Sequence, residues 1–308
     1  MKKSQSGKHD QLIQCVAAEG MFRVTLIEGT QLVREARRIH RLSRVATAAL
    51  GRQLMMTAMM AADLKHENDR VSTILKGDGS AGSMICTGNA ALEVKGSVSG
   101  GISELPPTPE GKLDVGGFVG HTGQLTVVSD MGLKEPYVGV SDLVSGEIAI
   151  DFAQYYAVSL QRPALIYLGV RVNAESGELL GAGGVFAEPM PGCPEELLDL
   201  MQQKSGEIAT LSKQLDAGET AEEFLERVFG EFGLEIVLKR EPVYRCDCSR
   251  ERIERALLST GAGEVRDMIE QEHGAGVTCR FCDRIYTFTE DDLRELLRAA
   301  SGNEDEDS

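Results

Sequence analysis

Four cysteines near the end of the chain constrain its folding more than any other feature. They form two close pairs, Cys246-x-Cys248 and Cys279-x2-Cys282, separated by the thirty residues 249–278. Two such pairs brought together present four thiolates, which is the ligand set of a closed tetrahedral zinc site. Sulfur selects a soft or borderline metal over magnesium or calcium. The second pair is a common knuckle; the first, with one intervening residue, is not, so the spacing departs from a generic zinc ribbon. His273 is an alternative ligand close by, but four cysteines already complete the shell. We therefore expect Cys246, Cys248, Cys279 and Cys282 to hold one zinc ion per chain when reduced. Two permanent disulfides and a purely structural metal site are the competing readings.

The residues around the pairs support a small folded module. Ser249 can cap a helix that carries Ile253, Ala256 and Leu257, and a second helix over about 263–272 carries Val265, Met268 and Ile269. The second pair falls in a predicted hairpin, VTCRFCDRIYTF, and Thr289 with Asp292 opens a last helix through Leu293, Leu296 and Leu297. At about 60 residues, a core alone is marginal. Structural zinc in finger peptides contributes roughly 10–16 kcal/mol, against about 5–15 kcal/mol for the stability of a whole domain. The metal would decide whether the module folds. Zinc has no redox chemistry, but its thiolate ligands do. Oxidation of either pair removes two ligands, and a disulfide closed over one or two residues is of the strained, reducible kind.

The other three cysteines, Cys15, Cys86 and Cys193, are scattered and read as small buried apolar residues. With seven cysteines in 308 residues, the chain does not read as a secreted disulfide scaffold. No run of about 18 apolar residues suggests a membrane span, and the basic start has no apolar signal segment. The expected location is the cytoplasm, with no membrane partner. A net charge of −16 repels phosphate backbones, so nucleic acid is not expected as a partner either.

Upstream of the module the pattern is α+β. Residues 21–27 read as a strand and 31–65 as two helices, the second capped by Ser43 and carrying Val45, Leu50, Leu54 and Leu64. Short β-rich runs follow to about residue 186 (RVSTILK, SMICT, ALEVKGSV, QLTVVSD, YVGV, ALIYLGVRV), interrupted by a helix near 147–160. Met55, Met56, Met59 and Met60 read as core, with an adaptable binding face as the alternative. The glycines at 77, 79, 181, 183 and 184 match no phosphate-binding motif and read as tight turns. His40, His66 and His121 show no catalytic spacing. Pro189, Pro191 and Pro194 mark a boundary. Beyond it, 194–203 and 205–217 read as short amphipathic helices, the latter with Ile208, Leu211 and Leu215 on one face. A capping box, Thr220 with Glu223, then precedes Phe224, Leu225, Val228 and Phe229. Helices this short must borrow stability from neighbours. The expected domains are 1–188, an N-terminal sheet-and-helix domain; 189–238, a helical connector; 239–300, the four-cysteine zinc-binding module; and 301–308, an acidic disordered tail.

The order of these parts resembles the redox-regulated 33 kDa chaperonin (heat shock protein 33) family. The C-x-C and C-x2-C motif is the specific element, supported by SRVATAALGRQLMMTAMMAADLK, ILKGDGSAG and LTVVSDMGLKEPYVGV, and the resemblance covers nearly the whole chain. It implies a holdase chaperone that uses no ATP and binds unfolded or misfolded client proteins through an N-terminal domain that also serves dimerisation. It implies a zinc-bound, inactive reduced form and an active form, commonly a homodimer, made under oxidative stress by disulfides Cys246–Cys248 and Cys279–Cys282 with release of zinc and unfolding of the connector. Cys193, at the start of the connector, leaves a mixed disulfide open. No enzymatic activity is implied, and the chain has no P-loop. The rival readings are a zinc-binding, nucleic-acid-associated regulator, a thiol oxidoreductase using Cys279 and Cys282, and a zinc hydrolase or deaminase. The acidic surface opposes the first. The second lacks a strand–CxxC–helix context, and an all-cysteine site leaves the third no open position for water.

Overall fold

The computed structural model describes residues 9–303. They divide into two compact units, one ending at Arg245 and one beginning at Cys246. The first unit runs β1 (Gln11–Ala17), β2 (Phe22–Glu28), α1 (Thr30–His40), α2 (Arg44–Ala61), β3 (Arg70–Gly77), β4 (Ser83–Asn89), β5 (Glu93–Val98), α3 (Val115–Val119), β6 (Gly123–Asp130), β7 (Tyr137–Asp142), α4 (Ile148–Val158), β8 (Leu165–Val172) and β9 (Leu179–Pro189). It continues through α5 (Glu195–Gln203), α6 (Ser205–Ile208), α7 (Leu211–Ala217), α8 (Ala221–Phe229), β10 (Glu235–Arg240) and β11 (Val243–Tyr244). The α+β class expected from the sequence is what is observed.

Two sheets form the frame. One has the order β10-β1-β2-β9-β8 and the other β11-β5-β4-β3-β6-β7, with only the β11–β5 pair parallel. Helix α2 explains how they come together. Its sequence is apolar on every side, the mark of a helix buried all round rather than on one stripe, and fifteen of its eighteen residues are buried. Ser43 caps it, its side chain accepting from Ala46 N–H at 3.1 Å. Met55, Met56 and Met59 lie fully in this core, as the core reading expects, and Met60 is partly buried against it.

The first sheet is buried on both faces, and the period-two alternation assigns the residues. Along β2, Ile27 faces the α2 core, whereas Phe22, Val24 and Leu26 face a second core. The connector closes that second core with Met201, Ile208, Leu211, Leu215, Phe224, Leu225, Val228 and Phe229. The expected capping box at Thr220 and Glu223 is formed. Each of the large side chains contributes about 1.5–3 kcal/mol by leaving water, and the sheet supplies what the short helices lack.

Several expectations are corrected. Residues 205–217 form two helices rather than one, interrupted at Ala209–Thr210. Gly181, Gly183 and Gly184 lie inside β9, not in a turn. They are glycines because α7 and the neighbouring strands come close: a Cβ at 183 would stand 2.7 Å from Leu215 Cδ1, and one at 181 would stand 2.9 Å from the Ser212 carbonyl oxygen. Gly77 ends β3 against the Val119 carbonyl, again a matter of space. Strands β1 and β9 go beyond the expected set. The expected start of the cysteine module at residue 239 falls inside β10, which pairs with β1, while β11 pairs with β5. Backbone pairing therefore holds residues 235–245 in the first unit. Cys15 and Cys86 are fully buried as expected, but Cys193 is only half-buried.

The second unit contains α9 (Arg250–Ser259), α10 (Ala262–Glu270), β12 (Gly274–Thr278), β13 (Ile285–Thr289) and α11 (Glu290–Asn303). Its small core is Leu257, Val265, Ile269, Phe288 and Leu293. Of the expected acidic tail, 301–303 close the last helix, and 304–308 lie outside the described residues. Among the described residues, no helix is long and apolar enough to cross a membrane.

Candidate metal centre

The antiparallel hairpin of β12 and β13 carries the second cysteine pair in its turn. Cys279 N–H donates to the Arg284 carbonyl at 2.8 Å, and Asp283 N–H to the Cys279 carbonyl at 2.9 Å, with Asp283 in the left-handed region at φ 58°. This tight turn points both sulfurs to one side. The first pair lies in the extended segment before α9. Ser249, next to Cys248, caps that helix by accepting from Arg252 N–H at 3.4 Å. Phe288 and Leu293 anchor hairpin and helices in the core, and Arg250 lies over the Phe288 ring at 4.3 Å.

All four predicted ligands converge. The sulfurs of Cys246, Cys248, Cys279 and Cys282 lie within 4.8 Å of one another. Cys246 Sγ is 3.7 Å from Cys279 Sγ, and Cys248 Sγ is 3.4 Å from Cys282 Sγ. With zinc–sulfur bonds of about 2.3 Å, a tetrahedral site has sulfur–sulfur edges of about 3.8 Å. The cluster fits that group. His273 is not among the four; it is exposed and its Nδ1 lies 2.7 Å from Glu290 Oε1.

Tyr286 was not expected at the site. Its hydroxyl donates to Cys248 Sγ at 3.1 Å. The strand alternation of β13 puts Tyr286 beside the sulfurs, and only the hairpin register reveals this. Burial opposes ionisation of Cys248, but the Tyr286 hydrogen bond and the neighbouring thiols outweigh it and bring the thiol down to about 7. Burial and the adjacent thiols push Cys246 upward. Burial likewise raises Cys282, although the Arg284 backbone N–H acts the other way. The Cys248 sulfur is thus favoured as a thiolate over those of Cys246 and Cys282.

Comparison with known proteins covers both units. The family model described as Hsp33 protein matches residues 10–289. The 33 kDa chaperonin of Lachnoclostridium phytofermentans is 39% identical over 289 residues, covering 94% of this chain and 98% of that protein. The 33 kDa chaperonin of Acetivibrio thermocellus is 40% identical over 289 residues, covering 94% and 97%. The crystal structure of the 33 kDa chaperonin of Thermotoga maritima superposes with a TM-score of 0.85 at 33% identity, covering 96% of this chain and all of that one.

Proposed function

The chain belongs to the heat shock protein 33 family, and from that premise we propose that it is an ATP-independent holdase switched on by oxidation of its four clustered cysteines. Its family makes it a chaperone. The observation that supports the switch is the convergence of four sulfurs within 4.8 Å in a unit with a five-residue buried core.

In the reduced form Cys246, Cys248, Cys279 and Cys282 hold one zinc ion, which supplies a structural crosslink and no redox chemistry. Formation of each disulfide, Cys246–Cys248 and Cys279–Cys282, withdraws two electrons from a pair of zinc-bound thiolates, and hydrogen peroxide takes them up with two protons from solvent to become two molecules of water. Both disulfides together withdraw all four ligands and release the metal. A unit of this size without its crosslink loses its fold. Arg245, the residue after β11, joins Cys246 directly, so strain on the second unit reaches β10 and the connector through the chain. The connector's short helices then leave the sheet, and the apolar surface of Phe224, Leu225, Val228 and Phe229 becomes available to unfolded proteins.

The client-binding and dimerisation domain is residues 1–188, the linker begins at 189, and the switch is the cysteine module from Cys246. The oxidised protein works as a homodimer in the cytoplasm under oxidative stress. The reading gives it no catalytic residue, and its net charge of −16 disfavours nucleic acid.

The test follows suppression of aggregation of a thermally unfolding client by reduced and peroxide-treated protein, with zinc release measured in the same sample. Activity that appears as zinc is released is expected. Full suppression by oxidised protein that keeps its metal would refute the switch. Cys279→Ser with Cys282→Ser should abolish metal retention and increase proteolysis between residues 190 and 235; unchanged protection there would break the coupling.

A further inference from the structure

We propose that the cleft beside β8 binds an extended polypeptide segment by strand addition and prefers segments in which carboxylates alternate with apolar residues. This rests on the holdase reading and names where, and by what chemistry, a client is held.

Strand β8 is the last strand of its sheet, hydrogen-bonded to β9 alone. In an antiparallel ladder, half the backbone groups of such a strand point away from its partner. Among the described residues, no hydrogen bond from another element reaches that outer edge. A cleft of about 850 Å³ runs along it. The cleft touches Ile166, Tyr167 and Leu168 and then Val170, Arg171 and Val172. Consecutive residues of a strand face opposite ways, so a cleft that meets both sets follows the strand's edge. The facing wall is the loop 105–113, through Leu105, Pro107 and Leu113. Main-chain pairing to a free edge is independent of the added segment's sequence, as a partner for many unfolded chains requires.

The charge of the cleft supplies the preference. Arg44, Arg52, Lys112 and Arg171 line it, against Glu110 and Glu147. Glu147 pairs with Arg52 and Glu104 lies 3.6 Å from Arg44, so the cations that give the cleft its preference are Lys112 and Arg171. The connector also reaches two lining residues. Tyr167 Oη lies 3.1 Å from Ser212 Oγ, and Arg171 Nη2 lies 3.6 Å from Asp216 Oδ2, both partners belonging to α7. Departure of the connector frees both side chains and removes an acidic neighbour from Arg171.

The test uses oxidised, full-length protein and fluorescence anisotropy with three labelled peptides of about eight residues, the length that spans β8. One alternates valine and glutamate, the second replaces glutamate by lysine, and the third is the first with every other backbone nitrogen methylated. The glutamate peptide should bind about tenfold more tightly than either of the others. Lys112→Glu, on the exposed loop, should weaken the glutamate peptide about fivefold and strengthen the lysine peptide. A benzophenone-bearing glutamate peptide should crosslink to residues 105–113 or 165–172. Equal binding of the methylated peptide, or crosslinks confined to other regions, overturns the proposal. Client aggregation is followed with the same preparation. Suppression without cleft binding sinks the cleft and leaves the holdase reading standing. Cleft binding without suppression does the reverse.

Discussion

The Tyr286 hydroxyl donates a hydrogen bond to Cys248 Sγ at 3.1 Å. It joins the hairpin to the first cysteine pair through a group that is not itself a ligand. Groups that support a metal's ligands in this way usually matter about 10–100-fold in metal affinity. Tyr286→Phe keeps the ring and removes the donor. We expect zinc affinity to fall about tenfold, read by competition with a chromophoric chelator, while far-ultraviolet circular dichroism of the zinc-loaded protein stays unchanged. Equal affinities would show the hydrogen bond to be incidental.

Chelation of metal from reduced protein should melt the second unit before the first. The second unit's buried core is Leu257, Val265, Ile269, Phe288 and Leu293, whereas the first has two extensive cores. A chelator should therefore abolish amide protection in β12, β13 and α9 while α2 and β3 remain protected in hydrogen exchange. Simultaneous loss of protection in α2 and β3 would contradict this order.

The connector's hold on the sheet can be weakened without touching a cysteine. Leu211 is fully buried between α7 and β9, beneath which Gly183 leaves room for it. Leu211→Ala should cost about 2–5 kcal/mol of local stability. Under the switch reading, this variant suppresses client aggregation at a lower oxidant dose or lower temperature than the native chain. A variant that is less stable yet activates at the native dose would separate connector stability from activation.

A buried ion network fastens the end of β9 where the connector begins. Glu188 is 2% exposed and lies 3.2 Å from Arg23 Nη2, with Arg162 on its other side. Arg23 also pairs with Asp63 at 2.6 Å. Removing one partner leaves a buried carboxylate underpaired, which costs about 3–5 kcal/mol. Arg23→Met should lower the denaturation midpoint of the first unit accordingly, and adding Glu188→Gln should recover part of the loss. A double variant less stable than the sum of the single ones would disprove the pairing argument.

Much of the chemistry is legible in the sequence. The chain's cysteines gather into two close pairs near its end, the second with knuckle spacing, and the four sulfurs do meet within 4.8 Å. Local signals also carried far. Ser43, Thr220 and Ser249 each accept a backbone hydrogen bond at a helix start, because capping is settled within a few residues of chain. The periodicity of 205–217 identified the face that Ile208, Leu211 and Leu215 bury, since an apolar stripe must find a partner whatever that partner is.

Other features depend on residues far apart in sequence. Strand β10 forms because β1, more than 200 residues earlier, offers it an edge, so its membership of the first unit could not be read locally. The glycines of β9 looked like turn formers, and only the nearness of α7 shows that they are there for space. Tyr286 was one aromatic among others until the hairpin register set it beside Cys248. Which atoms can bind a metal and which helix faces need cover follow from residue type and short spacing, and both can be read along the chain. Tertiary structure alone decided what covers those faces, where the units part and which strand edge stays open, because these follow from pairings between distant segments.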